Sequence, residues 1–330
     1  MSRQSELAQL GRVFDNSALS NRNKIINGAM VIDQRNSGAA VTHTAYQQYA
    51  TDRCSFGATG FSTLVATIQQ VSDAPTGFSH SLKTTVTTAE ATGASSVITA
   101  ADFRIEGYDF ADMSFGTASA KTFTLSFWVK ASIAGTYCVS FFNAGVTRAY
   151  LAAYTISSAN TWEYKTITVA GDTSGTWNTT NSIGLGIQFN VGAGSNQEGT
   201  EGAWSGTYKN TVSGSVDLNA TTNATWQITG VQLEVGDTAT PFEHRSYGQE
   251  LALAQRFYVS VTGIQQTPDT NHSFNLIFPV EMRSAPSVAI TLVSGGGSGS
   301  ATAFGPISAI YSPSGATSKQ NIRWTADAEL

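Results

Sequence analysis

Charged side chains are scarce in this 330-residue chain, where they make up 12% of the residues, against roughly 25% in an ordinary soluble domain. The formal net charge is −5, and the 18 Lys and Arg residues are scattered rather than clustered. A protein that binds nucleic acid needs a basic patch to meet the phosphates, so we expect no nucleic-acid partner. The surface must instead be rich in hydroxyl and amide side chains.

Long apolar runs are missing as well. A membrane-spanning helix needs about 18 or more consecutive apolar residues, and the sequence has no such run. The N-terminal sequence MSRQSELAQLGRVFDN also lacks the apolar core of a secretion signal. We therefore expect no membrane partner, and a protein that stays in the cytoplasm where it is made unless it is assembled into something that leaves.

Cysteines and catalytic motifs are equally sparse. Cys54 and Cys138 are the two cysteines, and they fit buried thiols better than a disulfide or a zinc site. Nucleophile-elbow, P-loop, zinc-protease and dinucleotide motifs are all absent. Glu198 and Glu201 are the pair of acids most suggestive of catalysis, but the preferred interpretation is that both are solvated loop residues. We predict no metal, no cofactor and no catalysis.

Alternation of apolar and polar residues with a period of two dominates the middle of the chain. It is clearest in four segments, residues 123–130, 137–142, 164–169 and 183–191. Such segments between polar turns are typical of strands in antiparallel sheets. We predict a mainly β fold, an antiparallel jelly-roll sandwich over residues 27–247.

Two short helices and a smaller domain complete the predicted organisation. Residues 5–14 fit one amphipathic helix, either a virion anchor or a helix lying against its own domain, and residues 1–26 are taken as an anchoring segment. The sequence of residues 248–256 predicts a second helix, which bridges the two domains. Alternation resumes beyond it, so residues 248–330 are predicted to hold this helix and a distal C-terminal β domain.

The segment 224–258 is the most informative part of the chain. Trp226 and Ile228 share one phase of the alternation, and the phase slips by one residue after Gly230, to Val231 and Leu233. A slip of one residue at a glycine indicates a β-bulge, which bends the strand.

This segment also carries a resemblance. Its GVQLEVG, TPFEHRS and QRFY sequences resemble the closing strand, exit and helix of a β-sandwich found in many bacteriophage tail-fibre and virion surface proteins. Residues 23–35, NKIINGAMVIDQR, resemble the first strand of the same family, and residues 278–288, FPVEMRSAPSV, a distal strand turn. Tyr49, Asp52 and Arg53 match a further motif, but Cys54 stands where the family has Trp.

The resemblance implies a place in a virion. Proteins of this kind are usually homotrimers, and their N-terminal segments contact other virion proteins. Residues 123–191 also resemble carbohydrate-binding-module-like jelly rolls. A host surface glycan is therefore the expected ligand, and the virion the expected location.

Exposed aromatic residues in polar loops are the candidate sugar-binding residues, because their rings stack on the C–H faces of sugars. Trp177, Trp204 and Tyr208 in the central domain and Tyr311 in the distal one meet this description. The alternative for the central three is that each closes one end of the sandwich core. Trp128 lies on the outward-facing phase of its strand. It serves either as a sheet-face platform or as a subunit contact, and the subunit contact is the preferred interpretation.

Three functions remain open. The first is a trimeric tail fibre or receptor-binding protein that adheres to host glycans without catalysis. The second is a structural virion subunit, such as a head decoration or tail collar protein, that binds no receptor. The third is a glycan depolymerase, which needs two carboxylates about 5–10 Å apart.

Overall fold

A computed structural model describes residues 21–43, 47–91, 98–266, 272–316 and 318–330. The predicted helix over residues 5–14, and most of the predicted anchoring segment, lie outside the described residues. The chain divides into two compact units, Met1–Arg245 and Ser246–Leu330. The boundary expected from the sequence lies two residues further along.

The first unit is a sandwich of two antiparallel sheets. Its elements are β1 (Val41–Thr42), β2 (Gln48–Thr51), β3 (Cys54–Thr59), β4 (Val65–Val71), β5 (Ser81–Thr88), β6 (Ile98–Glu106), the helix α1 (Gly107–Phe110), β7 (Phe123–Ala131), β8 (Gly135–Phe142), β9 (Ala149–Ile156), β10 (Glu163–Val169), β11 (Ile183–Ala193), β12 (Trp204–Ser205) and β13 (Thr225–Val235). Sheet A has the order β1-β4-β5-β13-β7-β10, and sheet B has the order β12-β9-β8-β11-β6-β3-β2. The predicted mainly β fold with an antiparallel sandwich is confirmed.

The core lies between the two sheets, as the period-two alternation requires. Phe127 of β7 meets Phe189 of β11 with ring centroids 4.9 Å apart. Trp226 of β13 is fully buried in the same core, and its indole nitrogen donates a hydrogen bond of 3.3 Å to the Tyr154 hydroxyl. Cys54 and Cys138 are buried free thiols, as predicted, and burial raises the pKa of Cys138 to about 12.

The bulge predicted at Gly230 is present. The pairing of β13 with β7 shifts register between Thr229 and Gln232, and Gly230 has a φ of +62°. This left-handed conformation favours glycine because it lacks a Cβ. The prediction of a bulge at this glycine is confirmed.

A lead-in segment, residues 22–30, runs along β13 just past the bulge. The backbone N–H of Lys24 donates to the Leu233 carbonyl at 2.9 Å, and the N–H of Val231 donates to the Gly28 carbonyl at 2.9 Å. The Asn23 side chain donates to the Val231 carbonyl and accepts from the Leu233 N–H, both at 3.1 Å. The NKIINGAMVIDQR and GVQLEVG motifs therefore contact each other.

A lead-out segment, residues 240–245, holds the lead-in segment in place. Glu243 accepts hydrogen bonds from the backbone N–H groups of Asn21 and Asn23, and the Arg245 guanidinium donates to the carbonyls of Asn23 and Ile25. We call these contacts the clamp. They bring the first described residues of the sandwich against its last ones.

Gly28 allows the close approach of the lead-in segment to β13. A Cβ added at Gly28 would lie 2.1 Å from the Val231 carbonyl oxygen. We expect Gly28→Ala to lower the free energy of unfolding by about 2–3 kcal/mol, because backbone must move to relieve the overlap. Chemical denaturation measures this. Gly206→Ala is the control, since no atom lies within 4 Å of its added Cβ, and an equal loss in both variants would contradict the prediction.

The second unit begins with the helix α2 (Tyr247–Gln255), whose Ser246 and Gln249 form a capping box. Its strands are β14 (Tyr258–Gln266), β15 (Phe274–Ile277), β16 (Ser287–Ser294), β17 (Ser298–Ala303), β18 (Ser308–Ser314) and β19 (Asn321–Asp327). They form two sheets, β14-β19-β16 and β15-β18-β17. Phe278 and Trp324 meet in its core with ring centroids 5.7 Å apart.

Candidate functional site

A row of polar side chains crosses the outer face of sheet B. Ser55 of β3 pairs with Asp102 of β6, Asp102 pairs with Gln188 of β11, and Gln188 pairs with Ser140 of β8. Their neighbours along each strand, such as Phe103, point into the core, so these four point away from it. At about 4.8 Å between strands the row spans about 14 Å. We call these four residues the polar row.

The polar row is buried although it faces away from the core. The exposed fractions of Ser55, Asp102, Gln188 and Ser140 are 2%, 4%, 1% and 0%. Part of the cover comes from Tyr208, whose hydroxyl donates a 2.7 Å hydrogen bond to Gln188 Oε1.

Tyr208 belongs to a braced loop, residues 194–221. The N–H of Gly199 donates to the Thr211 carbonyl at 2.9 Å, and the Asn210 amide donates to Gln197 Oε1 at 2.8 Å. The Tyr208 ring also packs edge-on against Phe142 of β8, with centroids 5.3 Å apart. The loop therefore holds one aromatic ring and its hydroxyl over the polar row.

Asp102 is the charged member of the polar row. Burial raises the pKa of its carboxyl, and Arg104, Gln188 and Gln47 act against that rise. Arg104 donates to Asp102 Oδ2 through Nε at 3.1 Å and through Nη2 at 3.0 Å. The carboxylate is thus oriented by a guanidinium on its own strand.

Two polar atoms beside Gln188 lack partners. Ser140 Oγ and Asn190 Nδ2 are buried and have no hydrogen-bond partner among the residues that the structure describes. Asn190 lies two residues from Gln188 on β11 and, like it, points outward. A buried polar group without a partner costs about 1–3 kcal/mol. A hydroxyl-rich ligand would satisfy both atoms, since one accepts or donates and the other donates.

The structure brings two of the predicted site residues together at one end of the core. Trp177 and Trp204 have ring centroids 5.3 Å apart, and both contact Phe115. Trp177 is only 8% exposed, so the expectation that it is an exposed loop aromatic is wrong. Trp204 is half-buried and donates its indole N–H to the Ala170 carbonyl at 2.7 Å.

Trp177 is buried because a polar loop can turn its one large ring toward the core. Gly116 lets this loop close, since a Cβ there would lie 2.6 Å from the Gly175 carbonyl oxygen. Trp177 then packs against Phe110 and Phe115. The arrangement matches the alternative in which these indoles close one end of the sandwich.

The expectation that Tyr311 is exposed is also wrong. Tyr311 is 0% exposed, and its hydroxyl donates to Gln320 Oε1 at 2.5 Å. Its ring lies over Gly299, where an added Cβ would be 2.0 Å from the hydroxyl oxygen. The exposed large apolar side chains of this unit include Ile277, Phe304 and Ile307.

Most residues of this candidate site are not predicted from the sequence. Tyr208 is a predicted site residue, but Asp102, Gln188, Ser140 and Asn190 are not. A signal was present, because the alternation in 183–191 places Gln188 and Asn190 on the phase opposite to Ile187 and Phe189. What the pattern does not show is that a distant loop covers that phase.

Acidic residues near the site are spread out. Glu201 accepts a hydrogen bond from the Ala153 N–H at 3.0 Å. Glu198 pairs with Thr211 through an isolated β-bridge of the backbone. Asp102 and Glu106 lie four residues apart on β6, which separates their Cα atoms by about 13 Å. Within the described ranges, no group of three or more His, Cys, Asp or Glu residues is placed to hold a metal ion. No helix in those ranges is long and apolar enough to cross a membrane.

Comparison with known proteins gave matches among solved structures alone, since no family model and no curated protein match the sequence. The enzymatically active domain of tailspike protein 4 from bacteriophage CBA120 is 15% identical over 65% of this chain, with a TM-score of 0.35. This chain spans 22% of that one. A structure described as CBM4 is 15% identical over 64% of this chain and 99% of its own, with a TM-score of 0.31. The family 11 carbohydrate-binding module of Clostridium thermocellum is 12% identical over 62% of this chain and 98% of its own, with a TM-score of 0.30.

Proposed function

We propose that this chain is a bacteriophage virion surface protein that adheres to a host surface glycan without breaking a bond. The observation that carries the glycan part is the presence of two unpartnered polar atoms among the described residues, one in the polar row and one beside it. Among the described residues, Ser140 Oγ and Asn190 Nδ2 are buried without a hydrogen-bond partner, and both side chains lie next to Gln188, whose Oε1 accepts from Tyr208. Hydroxyl groups of a sugar are the ligands that such atoms bind.

The virion part rests on the sequence motifs and on the way they meet. The lead-in motif and the GVQLEVG strand resemble the same virion family, and in this chain they hydrogen-bond to each other through Asn23 and Leu233. A trimer and an N-terminal contact with other virion proteins follow from that resemblance. Three weak glycan sites, one on each subunit of the trimer, would together bind far more tightly than one site alone.

Binding requires the braced loop to give way at Tyr208. Because the polar row is buried, a sugar reaches it when the Tyr208 hydroxyl leaves Gln188 Oε1. A sugar hydroxyl then donates to that oxygen, while Asn190 Nδ2 donates to the sugar and the released ring stacks on a C–H face. No step of this binding transfers a group.

Ser140→Ala tests this function sharply. Removing an unpartnered hydroxyl should leave the free energy of unfolding unchanged or slightly higher. If a sugar hydroxyl binds there, the same change should weaken binding by about 5–10-fold, equivalent to about 1–1.4 kcal/mol. The measurement is binding of the full chain to an array of purified bacterial lipopolysaccharides and capsular polysaccharides, followed by calorimetric titration with the strongest binder.

Thr84→Val is the matched control. Thr84 Oγ1 is likewise buried and unpartnered among the described residues, but it faces the core beside Trp226. This variant should bind as the wild type does. Failure of the wild-type chain to bind any polysaccharide would favour the non-receptor structural subunit, and release of shortened chains would establish the depolymerase.

A further inference from the structure

Two aromatic rings lie side by side on the outer face of sheet A. Trp128 of β7 pairs with Tyr164 of β10, and their ring centroids are 5.3 Å apart. Both point away from the core, because Phe127 and Val129 on either side of Trp128 are buried in it. Tyr164 is 44% exposed, so solvent reaches this pair.

Three more rings form a group on the same face. Phe78, from the turn between β4 and β5, lies 5.0 Å from Phe242 and 5.3 Å from His244, measured between centroids. Phe242 and His244 are 4.9 Å apart. The lead-out segment therefore contributes two rings to this face in addition to its part in the clamp.

Gly230 joins the two groups. A Cβ added there would lie 2.7 Å from Phe78 Cζ and 3.1 Å from Trp128 Cδ1. The bulge glycine thus lets both rings close over the bare backbone of β13, where any side chain would separate them. We call the continuous set of Phe78, Trp128, Tyr164, Phe242 and His244 the aromatic strip.

A polar cluster borders the aromatic strip. Asp73 forms an ion pair with Lys130, and the indole nitrogen of Trp162 lies 3.3 Å from its Oδ1. The pKa of Asp73 is lowered, first by the hydrogen bond from Lys130 and further by Trp162 and Gln227. Lys130 Nζ also lies 5.1 Å from the centroid of the Trp162 ring.

Two buried acceptors lie between this cluster and the strip. Gln227 pairs with Lys130, and Thr229 pairs with Trp128. Gln227 Oε1 and Thr229 Oγ1 have no hydrogen-bond partner among the described residues, and these side chains are 3% and 0% exposed. Among the described residues, one unpartnered polar atom therefore lies beside the polar cluster and one beside the aromatic strip.

We propose that the aromatic strip is a second glycan-binding site, which takes a linear saccharide laid along sheet A. Rings of the strip stack on the C–H faces of successive sugar units, and hydroxyls at their edges meet Asp73, Gln227 and Thr229. A saccharide supplies a C–H face and hydroxyl groups in one ligand, which is why we choose it over a second copy of this chain. The site lies on the face of the sandwich opposite to the polar row, so it stands independently of the function proposed for that row.

Tyr164→Thr tests the strip at an exposed ring. Threonine suits an edge strand, so the fold should persist, and a thermal melt checks this. We expect binding of the full chain to at least one polysaccharide on the array of bacterial lipopolysaccharides and capsular polysaccharides to weaken by about 5–10-fold, as loss of one stacked ring predicts. Thr166→Ser, two residues along the same strand, is the control and should bind normally.

His244→Ala is a second variant at the far end of the strip, where the ring is exposed and its loss leaves the core untouched. Wild-type binding by both strip variants would overturn the proposal, as would absence of any polysaccharide binding by the wild-type chain. A change in oligomeric state of Tyr164→Thr by sedimentation velocity, with binding unchanged, would assign the strip to a second copy instead. Loss of binding in Ser140→Ala alone would support the polar row and reject the strip, and loss in Tyr164→Thr alone would do the reverse.

Discussion

Trp226→Ala should lower the free energy of unfolding of the sandwich unit by about 3–5 kcal/mol. Trp226 is fully buried, its ring centroid lies 6.0 Å from that of Phe189 across the core, and its N–H binds the Tyr154 hydroxyl. Alanine would leave a cavity and deprive that hydroxyl of a partner. Both effects act on the folded state, so denaturant titration should show a lower midpoint.

Tyr108→Ala is the matched control for this change. Tyr108 lies on α1 with 61% of its surface exposed, so its removal should change stability by less than about 0.5 kcal/mol. Equal losses in the two variants would show that Trp226 does not anchor the core.

Arg104→Met should lower the free energy of unfolding by about 3–5 kcal/mol at pH 7, because it leaves the buried Asp102 carboxylate without its guanidinium partner. The loss should depend on pH. Burial already raises the pKa of Asp102 in the folded protein, and removal of the neighbouring positive charge raises it further. The folded variant then binds a proton in a pH range where the unfolded chain, with an Asp pKa of about 3.9, does not.

Stability of the variant should therefore fall as pH rises through that range, and the deficit should shrink as pH is lowered toward 4. Denaturation at a series of pH values measures this. Adding Asp102→Asn to Arg104→Met should restore much of the stability at pH 7, since the amide carries no charge. Lys121→Met, which removes an exposed positive charge, controls for net charge. A deficit in Arg104→Met that does not vary with pH would contradict the role of Asp102.

The parts of the fold that the sequence predicts are those set by local patterns. The phase slip at Gly230 predicts the bulge because one strand contains the whole signal. The alternation in β7 and β11 predicts which residues enter the core for the same reason. Local patterns do not predict the environments of Tyr208, Trp177 and Tyr311. Each lies in a polar segment, yet each has a different environment.

Those environments depend on contacts between distant segments. Tyr208 meets Gln188, twenty residues earlier, because the braced loop folds back over sheet B. Tyr311 is buried because Gly299 on the adjacent strand leaves room for its ring. The aromatic strip is the extreme case, because Phe78, Trp128 and Phe242 come from three separate parts of the chain. No periodicity links them, and the glycine of the bulge leaves room for Phe78 and Trp128 to meet.

The clamp has a mechanical consequence. Asn21 and Asn23 are hydrogen-bonded to Glu243, so the first described residues of the sandwich unit and its last residues lie at neighbouring points. A tensile load applied through these two points acts first on the hydrogen bonds of Glu243 and Arg245. The paired strands beyond them are shielded until those bonds break, so the polar row on sheet B would keep its geometry under load, whereas Phe242 and His244 lie on the loaded segment itself and would be the first part of the aromatic strip to move.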